Sequence, residues 1–390
     1  MKILVVCGAG KLYGRETVTL SLMKGLRNRG HDVECVTSSW SDGKFEKHVK
    51  ELSFRSRPLP LGFISKTLSL SALKMTLVQA WRLPELWIGY RRATKSFRPD
   101  IVLHSTLHHV FLLCPLFGRE VNVFHVHDSF APTRFYHRLF KLLGKRLSAF
   151  VGVSRFIAES IAILGIPKNK ISCVLNGIAE DTSGLYPAIS NASNLSNINL
   201  PDESIRVGIV GQVDEWKGHE DLIDALGILK ENRLSFVCRI FGSGRTEFST
   251  RLRLKIDAYG LTDKVEWMGY VDERKAIYDK IDVCVVPSRI PEAFGMVAAE
   301  ALMYGVPVIG SRLGALPEVI QNELTGYLVD AGSAEQIAEK IRLLSSSPKK
   351  RMEMGRTAKT RVSETLSADR MISEMEALLR SLVFQNLHSI

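Results

Sequence analysis

Short apolar runs of strand character alternate with helix-spaced segments as far as about residue 178, and the alternation starts afresh near residue 205. The first series contains "MKILVVC", "HDVECVT", "PDIVLHS", "EVNVFHVHD" and "AFVGVS", with "TVTLSLMKGLRNRG" and other helical stretches between them. The second contains "IRVGIVG", "SFVCRIFGSG", "DKVEWMG", "IDVCVVPS" and "VPVIGS". Parallel strands need a crossover connection, usually a helix, so each series predicts a doubly wound parallel sheet. The chain is therefore expected to be α/β, with two Rossmann-like domains. Its 390 residues suit two cores of about 150–200 residues better than one. The expected boundaries are 1–178 for the first domain, 179–204 for a linker and 205–367 for the second domain. The linker is the Ser/Asn-rich "DTSGLYPAISNASNLSNINLPDES" region.

Composition excludes several classes. An apolar content of 45% with 24% charged residues belongs to a globular protein rather than a disordered one. No uncharged apolar stretch approaches the ~18–20 residues of a membrane span, "HVFLLCPLFG" being the longest candidate. The opening "MKILVVCGAG" reads as a first strand, not a signal peptide. Six cysteines occur singly with no CxxC pair, as expected for buried, reduced thiols in a cytosolic protein. The two N-x-S sequons from Asn191 and Asn194 would then carry no meaning.

Charge divides unevenly. Residues 1–180 hold 27 Lys and Arg against 12 Asp and Glu, and residues 181–390 hold 25 against 29. A basic first half suggests an anionic partner there: a membrane surface, a nucleic acid or a phosphorylated acceptor. One focus is "RFYHRLFKLLGKRL", in which Arg134, Arg138, Lys141 and Lys145 form a helical stripe beside Phe135, Leu139, Leu142 and Leu147. That pattern fits an interfacial helix on anionic lipid, or equally a surface helix whose apolar side enters the core.

In open α/β sheets, ligands meet glycine-rich turns and helix N-termini at the carboxyl ends of strands. The first such turn holds Gly8, Gly10 and Gly14, spaced GxGxxxG rather than GxGxxG. The second strand ends in Thr37 and Ser38 with no acid for a ribose, and no GxxxxGK[ST] occurs, which argues against dehydrogenase and P-loop chemistry. In the second half, "GQVDEWKGHEDLIDAL" places Lys217 at the opening of a helix, against the macrodipole unless an anion lies between them. Further on, "PEAFGMVAAEALMYGVPVIGS" holds Glu292 and Glu300 eight positions apart. A helix starting near Phe294 or Gly295 would separate them by about two turns. Glu300 falls among apolar neighbours, where a carboxylate needs partners. Vicinal hydroxyls of a sugar suit a bidentate acceptor, and free amides at residues 294–296 suit a phosphate.

Taken in order, "GLRNRGHDVECVT", "HVHD", "VGVSRFIAESI", "VLNGI", "GQVDEWKGHEDLI", "GYV", the E-x7-E block with "ALMYGVPVIGSRLGALPEVI", and "LTGYLV" closely resemble the retaining glycosyltransferases of family 4. The resemblance covers nearly the whole chain. It implies a GT-B fold, two Rossmann-like domains facing a central cleft, with the final helix (about 368–390) packing back across the first. It implies transfer of a hexosyl group from a nucleoside diphosphate sugar to a glycan or lipid-linked acceptor, in cell-surface polysaccharide or glycoconjugate synthesis. It further implies a metal-independent reaction with no cofactor beyond the donor, and a cytoplasmic, peripheral membrane location without a nucleic-acid partner.

Residue by residue, the resemblance puts Glu300 on the ribose and Glu292 on the donor sugar's hydroxyls. Ala293, Phe294, Gly295 and Met296 would carry the amides that, with Lys217, meet the diphosphate. His127 would lie beside the sugar's reacting face, Gly14 on the phosphate side, and Tyr270 and Val271 by the base. His127, Lys217 and Glu292 are the catalytic candidates. Plainer readings stay open: His127 as a satisfied core histidine, Glu292 as a helix cap, Tyr270 as a core side chain. Two departures stand out. Gln212 follows Gly211 where the family often has Arg, leaving Arg289 to supply the missing cation. Ala315 follows Gly314 where Gly-Gly is usual. The departure at Gln212 keeps a second reading open, a non-catalytic nucleotide-sugar-binding subunit of a polysaccharide assembly.

Overall fold

Two all-parallel sheets organise the chain. The computed structural model describes residues 1–8, 13–62, 70–179, 204–271 and 273–388. The proposed linker, with its sequons, lies almost wholly outside the described residues, as does Gly10. The chain divides into two compact units, Met1–Tyr186 with Ala368–Ile390, and Pro187–Ser367.

The first unit holds seven strands: β1 (Lys2–Val6), β2 (Asp32–Ser38), β3 (Arg55–Leu59), β4 (Ile101–His104), β5 (Val121–Val126), β6 (Ala149–Gly152) and β7 (Ile171–Cys173). Their order is β3-β2-β1-β4-β5-β6-β7. The second holds β8 (Ile205–Val210), β9 (Phe236–Phe241), β10 (Val265–Gly269), β11 (Val283–Val286), β12 (Val308–Ser311) and β13 (Gly326–Val329), ordered β10-β9-β8-β11-β12-β13. Both orders step outward from the first strand and then reverse. Each sheet therefore has a switch point, between β1 and β4 and between β8 and β11, where loops at the carboxyl ends diverge and leave room for a ligand.

The central strands are buried on both faces, which is why they read as continuous Val/Ile/Leu runs. In the second unit Val207, Ile209, Val283, Val285 and Ile309 meet Leu222, Leu226, Ile337 and Ile341 from flanking helices in one core. Sequence reasoning missed β3, β7 and β13, all short and all at or beside an edge. β3, "RSRPL", keeps its place through Arg55 and Arg57, which grip buried Glu34 of β2 at 3.0 and 2.9 Å. Its Pro58 is tolerated because an edge strand lacks a neighbour on one side.

The Ala368–His388 helix packs on the Gly14–Asn28 helix of the first unit. Gly25 makes the approach possible, since a Cβ there would lie 2.2 Å from Ile372 Cδ1. Polar ties complete the joint: Arg29 to Asp369 (2.6 Å) and Glu376 (3.2 Å), and His31 Nε2 to Glu376 (2.9 Å). Arg380 and His31, then Arg29, hold the Glu376 carboxyl down at about 2. Among the described residues, no helix is long and apolar enough to cross a membrane. Five cysteines are buried, but Cys173 on the last strand of its sheet is exposed, against the expectation of wholly buried thiols.

Candidate active site

The second unit gathers most of the expected site around the β8/β11 switch point. After β8 the chain makes a short 3₁₀ turn, Glu215–Lys217, and only then enters the His219–Glu231 helix through Gly218. Lys217 thus lies in a turn with Gly218 just ahead of the helix, where the sequence put it. The first helical turn carries Glu220 and Asp221, the sign the macrodipole favours. Gly218 is required, having φ of +71° and room for no Cβ, which would stand 1.9 Å from the carbonyl oxygen of Pro287 after β11. This close approach sets Lys217 beside the β11 loop. The Arg289 amide donates to the Trp216 carbonyl at 2.8 Å and joins the two loops.

Within that junction Lys217 Nζ donates to Glu292 Oε1 at 2.6 Å. Ser288 Oγ donates to the same oxygen, also at 2.6 Å. Lys217 additionally lies 4.2 Å from the centre of the Trp216 ring. Glu292 sits in a loop, because the next helix runs Met296–Met303 with left-handed Gly295 as its N-cap. The expected two turns of helix between the acids therefore do not exist, and Glu292 does not cap the helix. Its position comes from another loop: Ala315 N donates to Glu292 O at 2.9 Å, and Gly314 leaves a Cβ only 2.4 Å from that oxygen. Ala315 has φ −89° and ψ −2°, so the departure from Gly-Gly costs no backbone strain.

Gly295 provides no side-chain cap, so the first amides of the Met296–Met303 helix are not taken up by one. Phe294 and Gly295 are buried, Ala293 and Met296 half-buried. One turn into the helix stands Glu300, only 6% exposed. Its partners answer how a carboxylate survives among Ala, Val and Leu: Arg274 Nε lies 3.1 Å from Oε2 and Tyr278 Oη donates to it at 3.3 Å. Burial and the nearby carboxylate raise the Tyr278 phenol well above its ordinary range, so it stays a donor. Tyr278 also stacks on Tyr304, ring centres 5.2 Å apart. Neither Arg274 nor Tyr278 was singled out from sequence, and Ser288 was missed too. A buried acid in an apolar helix implies a cationic partner, but sequence does not say which.

Three expected residues behave differently. Gln212 is exposed and donates to Asp214 at 3.3 Å. Arg289 does not replace the absent cation, because its guanidinium forks onto Asp221 at 2.9 and 2.6 Å. Tyr270 is 54% exposed beyond β10, not a core side chain, and Val271 beside it is half-buried.

In the first unit Gly14 opens the Gly14–Asn28 helix, and His127 follows β5. His127 is buried, its Nε2 3.1 Å from His125 Nδ1. Burial pushes His125 down to about 4, and burial with the His125 and Arg15 charges pushes His127 well below its ordinary value. Both rings are therefore neutral near pH 7, each with one donor and one acceptor. Arg15, which sequence reasoning overlooked, pairs with Glu16 (3.0 Å) and with Asp128 (3.2 Å), tying the β5 loop to the start of the helix. In the Arg134–Leu143 helix Phe140 and Leu143 enter the core, whereas Phe135 and Leu142 are 52% and 53% exposed among exposed Arg134, Arg138 and Lys141. Lys145 is exposed just beyond; Leu147, expected in the apolar stripe, is in the core.

Two family models match in succession: that of "Glycosyltransferase Family 4" over residues 13–182, and that of "Glycosyl transferases group 1" over residues 192–361. The chain belongs to glycosyltransferase family 4. Similar curated proteins include an uncharacterized 41.2 kDa protein of the cps region of Klebsiella pneumoniae, 29% identical over 51% of this chain and 52% of that one. Another is the putative colanic acid biosynthesis glycosyltransferase WcaL of Escherichia coli, 27% identical over 58% and 55%. The chain spans about half the length of the curated relatives it matches. In structure it resembles Anabaena HepE solved with UDP and glucose, with TM-score 0.77, 20% identity, and 98% and 100% coverage. That likeness gives the fold, GT-B.

Proposed function

We propose that this family 4 protein transfers a hexosyl group from a nucleoside diphosphate sugar to a glycan or lipid-linked acceptor, with retention at the anomeric carbon. The observation that carries the reading is the junction in the second unit, where Lys217, Glu292 and the start of the Met296–Met303 helix meet, with buried Glu300 one turn further on. Such a constellation offers an ammonium and helix amides for a diphosphate, and two carboxylates for hydroxyls. UDP and glucose in HepE, and the colanic acid assignment of WcaL, support a nucleotide-sugar donor and a role in polysaccharide synthesis.

As the bond to the diphosphate breaks, negative charge grows on the leaving oxygen. Lys217 and the amides at residues 294–296 would meet that charge already oriented, a preorganised form of electrostatic catalysis. Ala293 to Met296 would line the phosphates, and Tyr270 and Val271 would adjoin the base; Gly14, at the start of the first unit's Gly14–Asn28 helix, is kept as a donor-binding candidate. Glu300 would accept from the ribose; in the first unit neutral His127 is kept as a catalytic candidate. Gln212 would donate to the diphosphate without neutralising it. We propose that the reaction proceeds without a metal, the leaving phosphate taking the acceptor's proton.

Screening UDP-, GDP-, ADP- and dTDP-sugars by thermal shift, then assaying transfer with the donor that binds, tests the reading. Nuclear magnetic resonance of the product gives the anomeric configuration, and chelator gives the metal requirement. The exposed, acid-paired Gln212 favours one rival, a non-catalytic donor-binding subunit. Turnover by the purified protein eliminates that rival. We also propose that Arg134, Arg138, Lys141 and Lys145 meet an anionic membrane surface, with Phe135 and Leu142 entering its interface. Co-sedimentation that is indifferent to the anionic lipid content of liposomes would remove this part.

A further inference from the structure

We infer that the Lys217–Glu292 ion pair makes the site discriminate against the free nucleoside diphosphate and in favour of the intact nucleotide sugar. The inference rests on the donor reading above and adds a role for the charge of Glu292 in releasing product.

The two side chains are each other's partners at 2.6 Å and are only 16% and 15% exposed. At that depth neither charge is well solvated by water, so separating them without compensation is unfavourable. A diphosphate must draw on Lys217 to bind. It then leaves Glu292 with the Ser288 hydroxyl as its remaining donor and brings further negative charge close to it. Arg289 cannot relieve this, because Asp221 holds its guanidinium. Gln212 cannot either, because a neutral amide offsets no charge.

A sugar attached to the diphosphate changes the balance. Its hydroxyls donate to Glu292 and replace the ammonium that the phosphates have taken, so both halves of the pair are satisfied together. Once the sugar is transferred, those hydroxyls leave with it. Glu292 is again short of donors, competes for Lys217 and repels the diphosphate. The same carboxylate thus helps bind the donor and disfavours the product, an instance of specificity obtained by penalising the competitor. Ser288, buried near the start of the loop after β11, is a positioning residue here, keeping its bond to Oε1 when Lys217 is drawn away.

Calorimetric titration of the full chain tests this, using UDP, GDP, ADP and dTDP and their sugars on wild type, Glu292→Gln, Ser288→Ala and Lys217→Ala. Glu292→Gln should bind the matching nucleoside diphosphate about 2- to 5-fold more tightly than wild type, the scale of removing one competing ion pair. It should bind the intact donor no more tightly, and product inhibition should strengthen. Ser288→Ala removes the donor that Glu292 keeps when the diphosphate takes Lys217, so it should weaken product binding by about 2-fold, and it carries the test if the glutamine variant does not fold. Unchanged or weaker product binding in Glu292→Gln overturns the inference, as does unchanged or tighter product binding in Ser288→Ala, or equal tightening of product and donor in Glu292→Gln. Failure of the donor reading has a different signature: no nucleotide sugar binds wild type, or Lys217→Ala binds donor as well as wild type.

Discussion

Replacing Glu300 by Gln isolates the charge of the buried acid from its shape. The glutamine keeps the volume of the side chain and an oxygen for the Tyr278 hydroxyl, now 3.3 Å away, but ends the ion pair with Arg274. Hydrogen bonds to a charged group contribute about 1.5–3 kcal/mol and neutral ones about 0.5–1.5. Loss of charge therefore weakens each ribose bond by about 1–1.5 kcal/mol. Two hydroxyls give about 2–3 kcal/mol, or roughly a 30- to 150-fold rise in donor Kd. Stability should fall by less than the roughly 3–5 kcal/mol of an unpaired, fully buried charge, since the Arg274 side chain is 15% exposed. Calorimetry with the donor found by screening gives the first quantity, and a urea titration gives the second. A variant that binds donor within about 2-fold of wild type refutes the ribose assignment, leaving Glu300 as a structural ion pair.

Three further outcomes follow from the geometry. Lys217→Ala should lower turnover by about 10²–10³, and turnover close to wild type would remove it from the leaving-group site. Gly218→Ala should destabilise the second unit by about 1–3 kcal/mol, because its methyl meets the Pro287 carbonyl oxygen at 1.9 Å; an unchanged denaturation midpoint would contradict the described turn. Burial holds His104 and His125 down at about 4. The folded chain disfavours their charged forms, so this contribution to stability is complete above about pH 6.5 and is lost as pH falls toward 4. A urea midpoint that stays flat from pH 7 to 4.5 would contradict it.

The central strands and the family motifs were legible because burial on both faces writes a continuous apolar run, and because Gly218, Gly295 and Gly314 occur where no Cβ fits or φ is positive. The outer strands were not, since edges are short and "RSRPL" is held by two arginines on Glu34 rather than by its own hydrophobicity. Within the site, Glu292, Glu300 and Lys217 could be picked from sequence as charges in unlikely places. Their partners could not. Arg274 and Tyr278 share one short helix and Ser288 lies in the loop after β11, all apart in sequence from Glu300 or Lys217, and only the folded chain fixes which side chain meets which acid. The same limit explains Arg289, a free cation in sequence but fixed to Asp221 in the fold.

The most direct measurement is a crystal structure of the protein with the nucleoside diphosphate sugar that binds best. The account predicts phosphate oxygens within hydrogen-bond reach of Lys217 Nζ and the amides of residues 294–296. It also predicts ribose hydroxyls on Glu300, and sugar hydroxyls on Glu292 in place of Lys217. Density for the donor away from the loops after β8 and β11, or a Lys217–Glu292 pair still intact beside a bound diphosphate, would contradict it.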